Sequence, residues 1–337
     1  MFVVRPVETS DIAALEALAP PAMPGVRTLP LGRAAITAAV EHSLACFDAA
    51  VDVPGEESYM FVLEEDGVLA GSAAISAQAG SNGLFFAFRN DVFQQVSRDL
   101  HIRHSVHALT LCSDLTGYSQ LSAFHVRNWR QAGPEAALLS RARLLFAAIA
   151  QQRFGDKFFA SLPGITDRNG QSPFWDALGR KFFQMDFLDA ERAIEGARNR
   201  TLIVELMPHY PVYVPLLPDE AKAVMGQVHI EGELPLALLT SEGFGPDEFI
   251  DIFDGGAILQ AHKMALRAFN ASVPRTVASG AGGSGQSYMV CTPDAARFRA
   301  IIADSALLGA GEAIALDEAA LRALGVAAGD TVLTVTV

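Results

Sequence analysis

Residues 121–146, LSAFHVRNWRQAGPEAALLSRARLLF, constrain the fold of this chain more than any other stretch. Residues 121–126 are too apolar for a half-exposed strand and predict a central strand covered on both faces. A tight turn follows. From Ala136 onward Leu138, Leu139, Ala142, Leu145 and Phe146 recur at steps of three and four, which predicts a packed helix with Arg141 and Arg143 off its apolar stripe. The first backbone N–H groups of such a helix lack partners within it, and its dipole is positive at that end. The strand tip therefore faces a place suited to a pyrophosphate. Arg130 and Gly133 lie in this turn, and Pro134 suits a first helical position. Taken alone, a strand, a turn with one glycine and a helix are more often plain scaffold than a site.

At 337 residues the chain is long enough for two core-bearing domains and a small appendage. Half of its residues are hydrophobic and 19% are charged, which makes it globular. Its 25 basic residues against 38 acidic ones give a net charge of -13, which argues against nucleic acid or an anionic membrane as partner and tolerates a cationic small substrate. The three cysteines, Cys46, Cys112 and Cys291, form neither a disulfide framework nor a zinc ribbon by spacing. MFVVRPVETSD has no basic segment followed by an apolar one, and 138–150 is interrupted by charge short of a membrane span. The expectation is a soluble protein of the reducing cytoplasm.

Read in order, the chain opens with a short strand at 2–4 and a helix carrying Ile12, Leu15 and Leu18, broken at Pro20, Pro21, Pro24 and Gly25. A second helix carries Ile36, Val40, Leu44 and Phe47. Strands at 59–63 and 68–77 are joined through Asp66-Gly67, a strong hairpin signal. Further strands are expected at 106–112 and 157–162. Residues 172–183 read as a capped short helix with Pro173 at its first position, ending at Gly179. Leu236 to Gly243 repeats this helix-glycine idea ahead of a strand at 249–253, and the two units together suggest a tandem with a degenerate second half. SGAGGSGQ reads as a flexible linker, followed by a small β-rich cap. The division expected is 1–190, 191–275, a linker at 276–287, and 288–337. His101, His104 and His107 invite a metal reading, but alternate faces of an extended segment would separate neighbours and no further ligand completes a tetrahedron, so none is expected.

Blocks of sequence carry a resemblance to a known family: Glu56-Glu57-Ser58-Tyr59, Asp114-Leu115-Thr116-Gly117, Ser172-Pro173-Phe174-Trp175, Glu205-Leu206-Met207-Pro208, Gly226-Gln227-Val228-His229 and Asp251-Ile252-Phe253-Asp254-Gly255-Gly256. On these the chain resembles the arginine N-succinyltransferases, within the GNAT superfamily of acyl-CoA N-acyltransferases, and is most similar to their alpha-type subunits. The resemblance implies an α/β (α+β) fold of tandem acyltransferase-like domains with mixed, largely antiparallel sheets and the C-terminal cap. It implies transfer of succinyl from succinyl-CoA, a co-substrate and not a resident cofactor, to the α-amine of L-arginine or L-ornithine. The alternative is a weakly or non-catalytic alpha subunit supporting a paralogous catalytic chain. A homo-oligomer or a hetero-oligomer with a beta-type subunit is implied as well.

By the same resemblance His229 is the proton donor to the departing thiolate. His125 and Val126 contact the acyl-CoA through their backbone, and Arg130 and Gly133 belong to the pyrophosphate turn. In the superfamily that turn carries a second glycine; here Glu135 takes its place, and a carboxylate there opposes a phosphate. Glu205, Asp251 and Asp254 are candidates for holding a guanidinium, since planar bidentate pairing is the strong form of that recognition. Asp251 and Asp254 could instead cap a helix or fix the Gly255-Gly256 loop, the reading slightly favoured for each taken alone. For the succinyl carboxylate, Arg103, Arg127 and Arg180 are possible cations among which the sequence does not choose.

Overall fold

The computed structural model describes residues 1–18, 32–81, 83–194, 200–280, 283, 285–309 and 311–337. The expected break at Pro20 to Gly25 lies outside them, as do 281, 282 and 284 of the linker stretch. The strands are β1 (Phe2–Pro6), β2 (Ser58–Glu65), β3 (Val68–Ser76), β4 (Ala87–Ser97), β5 (Ile102–Cys112), β6 (Ser119–Val126), β7 (Lys157–Ser161) and β8 (Val212–Tyr213). They continue as β9 (Gly245–Ile250), β10 (Ala257–His262), β11 (Val273–Ser279), β12 (Gln286–Cys291), β13 (Ala300–Ser305), β14 (Ile314–Leu316) and β15 (Thr331–Thr336). Among the described residues all fifteen join one sheet in the order β14-β11-β15-β12-β13-β1-β2-β3-β6-β7-β10-β9-β4-β5-β8. The sheet is mixed and largely antiparallel, as expected; β6 with β7 and β11 with β14 are its parallel pairs. The residues read as a first and a second half share this sheet, because β10 pairs with β7 and β9 with β4.

The helices are α1 (Ile12–Leu18), α2 (Arg33–Asp48), α3 (Pro134–Ile149), α4 (Pro173–Ala177), α5 (Gly179–Phe183), α6 (Phe187–Ile194), α7 (Arg200–Leu206), α8 (Asp219–Val224), α9 (Glu233–Glu242), α10 (Arg267–Asn270) and α11 (Glu318–Leu324). None of the described helices is long and apolar enough to cross a membrane. α3 lies at the centre of the main core, where Phe146 meets Phe47, Tyr59, Phe61, Phe154 and Phe298 with ring centroids 5.0–5.9 Å apart. Aromatic pairs at this spacing add to the gain from burying their area.

Arg141 and Arg143 do not fall on a wet face of α3; both are buried. The sheet covers one side of the helix, and α9, α10 and the C-terminal strands cover the rest, so no solvent stripe is left for them. Arg141 pairs with Glu242 of α9 and donates to the carbonyl of Thr336 in β15. Arg143 donates to Ser140 and to the carbonyl of Ser122 in β6, with Phe124 beneath its guanidinium. Burial without a carboxylate pushes Arg143 down to about 9.

Several boundaries differ from the sequence reading. The helix at 172–183 breaks at Leu178 into α4 and α5, and Gly179 starts the second piece instead of ending the first. A Cβ at Gly179 would sit 2.2 Å from the Trp175 ring, so the glycine is there for packing. β9 stops at Ile250, which places Asp251 and Asp254 in the turn that follows. Residues 276–279 are the end of β11 and not linker. The C-terminal strands do not merely cap the molecule, since β13 pairs with β1 and continues the sheet. β4 was not foreseen.

Candidate active site

The strand-turn-helix is present as β6, a short 3-10 turn at Trp129–Gln131, and α3. β6 carries an irregularity that the sequence does not announce. Ser72 pairs with His125 and Ala74 with Ser122, so Ala123 and Phe124 both face Ala73. Ala123 takes φ of 51°, the left-handed region, as the extra residue of a bulge. On its other edge β6 is bonded to β7 at Ser119–Phe158 and Gln120–Phe159 alone. Beyond that point the two parallel strands part. Residues 121–126 keep β3 on one side and have no strand partner on the other among the described residues, which leaves an open row of backbone donors and acceptors.

At the end of β6 a cavity of about 720 Å³ is lined by Ala14, Leu18, Leu69, His125, Val126 and residues 127–131. Burial holds the His125 imidazole below its ordinary value. Arg130 faces the cavity and also stacks on Trp129, its guanidinium carbon 4.9 Å from the ring centre. Gly133 caps α3, but its amide is already engaged: it donates to Oε1 of Glu135 at 2.7 Å. The carboxylate in the second-glycine position thus curls back over the helix start and takes one of the N–H groups that a phosphate would use.

The other side of the opening is organised by four residues at the end of β7. Ser161 donates to Oδ2 of Asp251 at 3.3 Å, Leu162 donates its amide to Ala257, the carbonyl of Pro163 accepts from the His229 amide at 2.8 Å, and Gly164 donates to Oδ2 of Asp254 at 2.7 Å. Oδ1 of Asp254 accepts from Gly256, and Oδ1 of Asp251 accepts from Phe253. Gly256 can approach because it lacks a side chain; a Cβ there would lie 2.4 Å from the Leu162 carbonyl oxygen. Both aspartates therefore fix the Gly255-Gly256 loop, the structural role the sequence left open for them. Burial raises both carboxyls, and Asp251 raises Asp254 further, up to about 8.

His229 follows α8, which ends at Val224 in the extended backbone of Met225; Gly226, expected to end the helix, takes φ of 67° one residue later and donates its amide to the Gly255 carbonyl. It caps the 3-10 turn Ile230–Gly232, with the amide of Glu231 donating to Nδ1 at 3.2 Å. The structure brings His229, Asp251 and Asp254 to one end of β7, with His125, Val126 and Arg130 at the corresponding end of β6. Glu205 is exposed on α7. Of the three cations, Arg103 is exposed on β5, Arg180 pairs with Asp176 in an exposed ion pair, and Arg127 lines the cavity while bonding the Leu69 carbonyl. No group of three or more metal-ligating side chains occurs among the described residues. The bulge, the Glu135 bond and the Ser161-to-Gly164 segment were missed; only Pro163-Gly164, a turn signal after a strand, could have marked the last.

Comparison with known proteins bears on this arrangement. A family model described as arginine N-succinyltransferase beta subunit matches residues 2–268, and its C-terminal domain matches 273–336. The chain belongs to the arginine N-succinyltransferase family. It is 42% identical over 341 residues to the arginine N-succinyltransferase subunit alpha of Pseudomonas aeruginosa, with all of both chains covered. It is 36% identical to the arginine N-succinyltransferase of Yersinia pseudotuberculosis, over all of this chain and 98% of that one. Among solved structures, arginine/ornithine succinyltransferase subunit AI from Pseudomonas aeruginosa superposes with a TM-score of 0.90 at 40% identity, covering 100% of this chain and 98% of that one. The family assignment made on the sequence blocks is thereby shown, and the full-length coverage extends it through the C-terminal strands.

Proposed function

We propose that this chain is an acyltransferase that moves the succinyl group of succinyl-CoA to the α-amine of L-arginine or L-ornithine. The observation that carries the reading is the parting of β6 from β7, with the amide of His229 tied to Pro163 just beyond the end of β7. In this reading the pantetheine arm lies along residues 121–126 as an added strand, bonded by the backbone of His125 and Val126. Arg130 and the turn up to Gly133 meet the pyrophosphate. The amine approaches from the β7 side, where Asp251, beside Ser161, is the candidate to meet its cationic side chain; Glu205, on α7, is the weaker candidate. The free thiols Cys46, Cys112 and Cys291 agree with a cytoplasmic setting, where succinyl-CoA is at hand.

A second reading is favoured by one bond, that of Glu135 to Gly133. A chain whose helix start is already occupied by its own carboxylate would bind CoA poorly by itself and would support a paralogous subunit. The deciding experiment titrates succinyl-CoA calorimetrically into the purified chain and follows thiol release on adding arginine or ornithine. Binding with release supports the enzyme. Binding and release that appear only with the paralogous chain present support the second reading.

A further inference from the structure

Arg143 is a buried cation that the site described above leaves without a task. Its Nε donates to the Ser140 carbonyl at 3.2 Å, Nη2 to the Ser140 hydroxyl at 3.1 Å, and Nη1 to the carbonyls of Ser122 at 3.3 Å and Ala74 at 3.5 Å. None of these partners is a carboxylate, and the residue is 2% exposed. An apolar chain of similar length would fill the space at less cost, since a buried charge is expensive without a counter-charge. What the guanidinium adds is a hold on the backbone at one point. Ser122 and Ala74 are the cross-strand pair just before the bulge of β6, and Phe124, just after Ala123, lies under the guanidinium with its ring centre 5.5 Å away. The left-handed Ala123 stands between the two contacts.

The extra residue changes which way the rest of β6 points. Leu121 packs in the core around α3; in a regular strand Ala123 would share its side, and Phe124 and Val126 would not. Instead Phe124 and Val126 pack with Leu121 in that core, while Ala123 packs on the opposite side, against the cluster that holds Ile12, Leu15 and Val40 of α1 and α2. His125, between Phe124 and Val126, is thereby left on the α1 side, where it lines the cavity with Ala14 and Leu18. Gly71 makes room for the shifted strand: a Cβ there would lie 2.7 Å from the His125 carbonyl oxygen and 3.0 Å from Leu139 of α3. We infer that Arg143 is a positioning residue for acyl-CoA: by holding β6 on both sides of Ala123 it keeps the extra residue at that place, and so fixes the phase in which residues 124–126 meet the co-substrate. This deepens the acyl-transfer reading above and rests on it. Arg143 takes no part in bond making, so its loss acts on how the co-substrate is held.

A crystal structure of the full chain carrying Arg143→Met tests the hold independently of activity. Ala123 is expected to leave the left-handed region as the bulge moves or closes; a bulge still at Ala123 overturns the inference. In a succinyl-transfer assay on the chain, alone or with the paralogous chain, Arg143→Met is expected to raise KM for succinyl-CoA about tenfold while KM for the amine stays within about twofold. Adding Ala123→Gly lets residue 123 keep the bulge unaided and is expected to return KM for succinyl-CoA to within about threefold of wild type, a recovery that general loss of core packing would not show. Unchanged kinetics for Arg143→Met, or an equal loss with and without Ala123→Gly, overturns the positioning role. If Arg143→Met does not fold, folding of the double variant supports the hold and failure of both overturns it. A wild type that transfers no succinyl in either setting overturns the acyl-transfer reading and with it the positioning role, while the crystal structure still decides the hold on β6.

Discussion

The carboxylate of Glu135 stands where a phosphate oxygen would be expected at the start of α3, which makes it the residue whose removal is most informative. Glu135→Gly frees the Gly133 amide and removes a repelling charge. It is expected to tighten CoA binding by about threefold to tenfold, roughly 0.6–1.4 kcal/mol, measured by calorimetry. Glu135→Gln, which can keep the bond to Gly133 while losing the charge, should fall between. Asp254 gives a different test. Its carboxyl is raised to about 8, so between the ordinary carboxyl value and that point the folded chain holds a proton that the unfolded chain has released. The contribution is complete at low pH and is lost as pH rises through about 8, so the melting midpoint should fall from pH 5 to pH 9. Asp254→Asn should flatten that slope and lower the midpoint throughout, because Asp254 accepts from Gly164 and Gly256 on separate oxygens and an Asn side chain puts a donating NH2 in place of one of them. Some of the local structure was legible beforehand: the turn holding Arg130 and Gly133 between β6 and α3, and the loop position of His229 after α8. The reversal at Glu135 was legible only as a charge in the wrong place, since nothing in a sequence says which way a side chain curls.

Among the elements, β6 sets the geometry of the site through its bulge. Ala123 accepts a left-handed backbone at some cost, which glycine does not incur. Ala123→Gly is expected to leave stability unchanged or raise it by up to about 1 kcal/mol, and Ala123→Val to lower it by about 1–2 kcal/mol, read from chemical denaturation. The central strand and the helix were visible as an apolar run and a three-four step. The bulge was not, because Ala and Phe at those positions fit a regular strand equally well. β4 escaped notice for another reason. Beyond Asp91 it pairs with β5 in a two-stranded ribbon with side chains such as Val92, Gln94, Gln95 and Val96 exposed. A strand wet on both faces shows neither an apolar run nor clean alternation, so period-based reading has nothing to find. α3 failed in the opposite sense. A helix buried all round leaves its arginines inside, where Arg141 finds Glu242, while periodicity presumes a face toward water.

For the whole molecule, the C-terminal strands are structural members of the sheet. Phe298 packs on Phe61 and Phe146, and Glu242, whose carboxyl burial raises, accepts from both Arg141 and the amide of Ala268. Glu242→Ala strands Arg141 without a carboxylate and is expected to cost about 3–5 kcal/mol, enough to threaten folding. The chain truncated before residue 273 should be insoluble or lack a cooperative melt. Composition foresaw a β-rich end but could not say what it joins, since pairing across nearly the whole length leaves no local trace. β1 lies between β2, some 60 residues later, and β13, some 300 residues later. On a ribosome adding about 5–20 residues per second, one edge of the first strand would then stay open for on the order of ten to fifty seconds. In that interval the nascent chain offers an unfilled place in its sheet, and the same place on a neighbouring nascent chain is what its own β13 could fill by mistake.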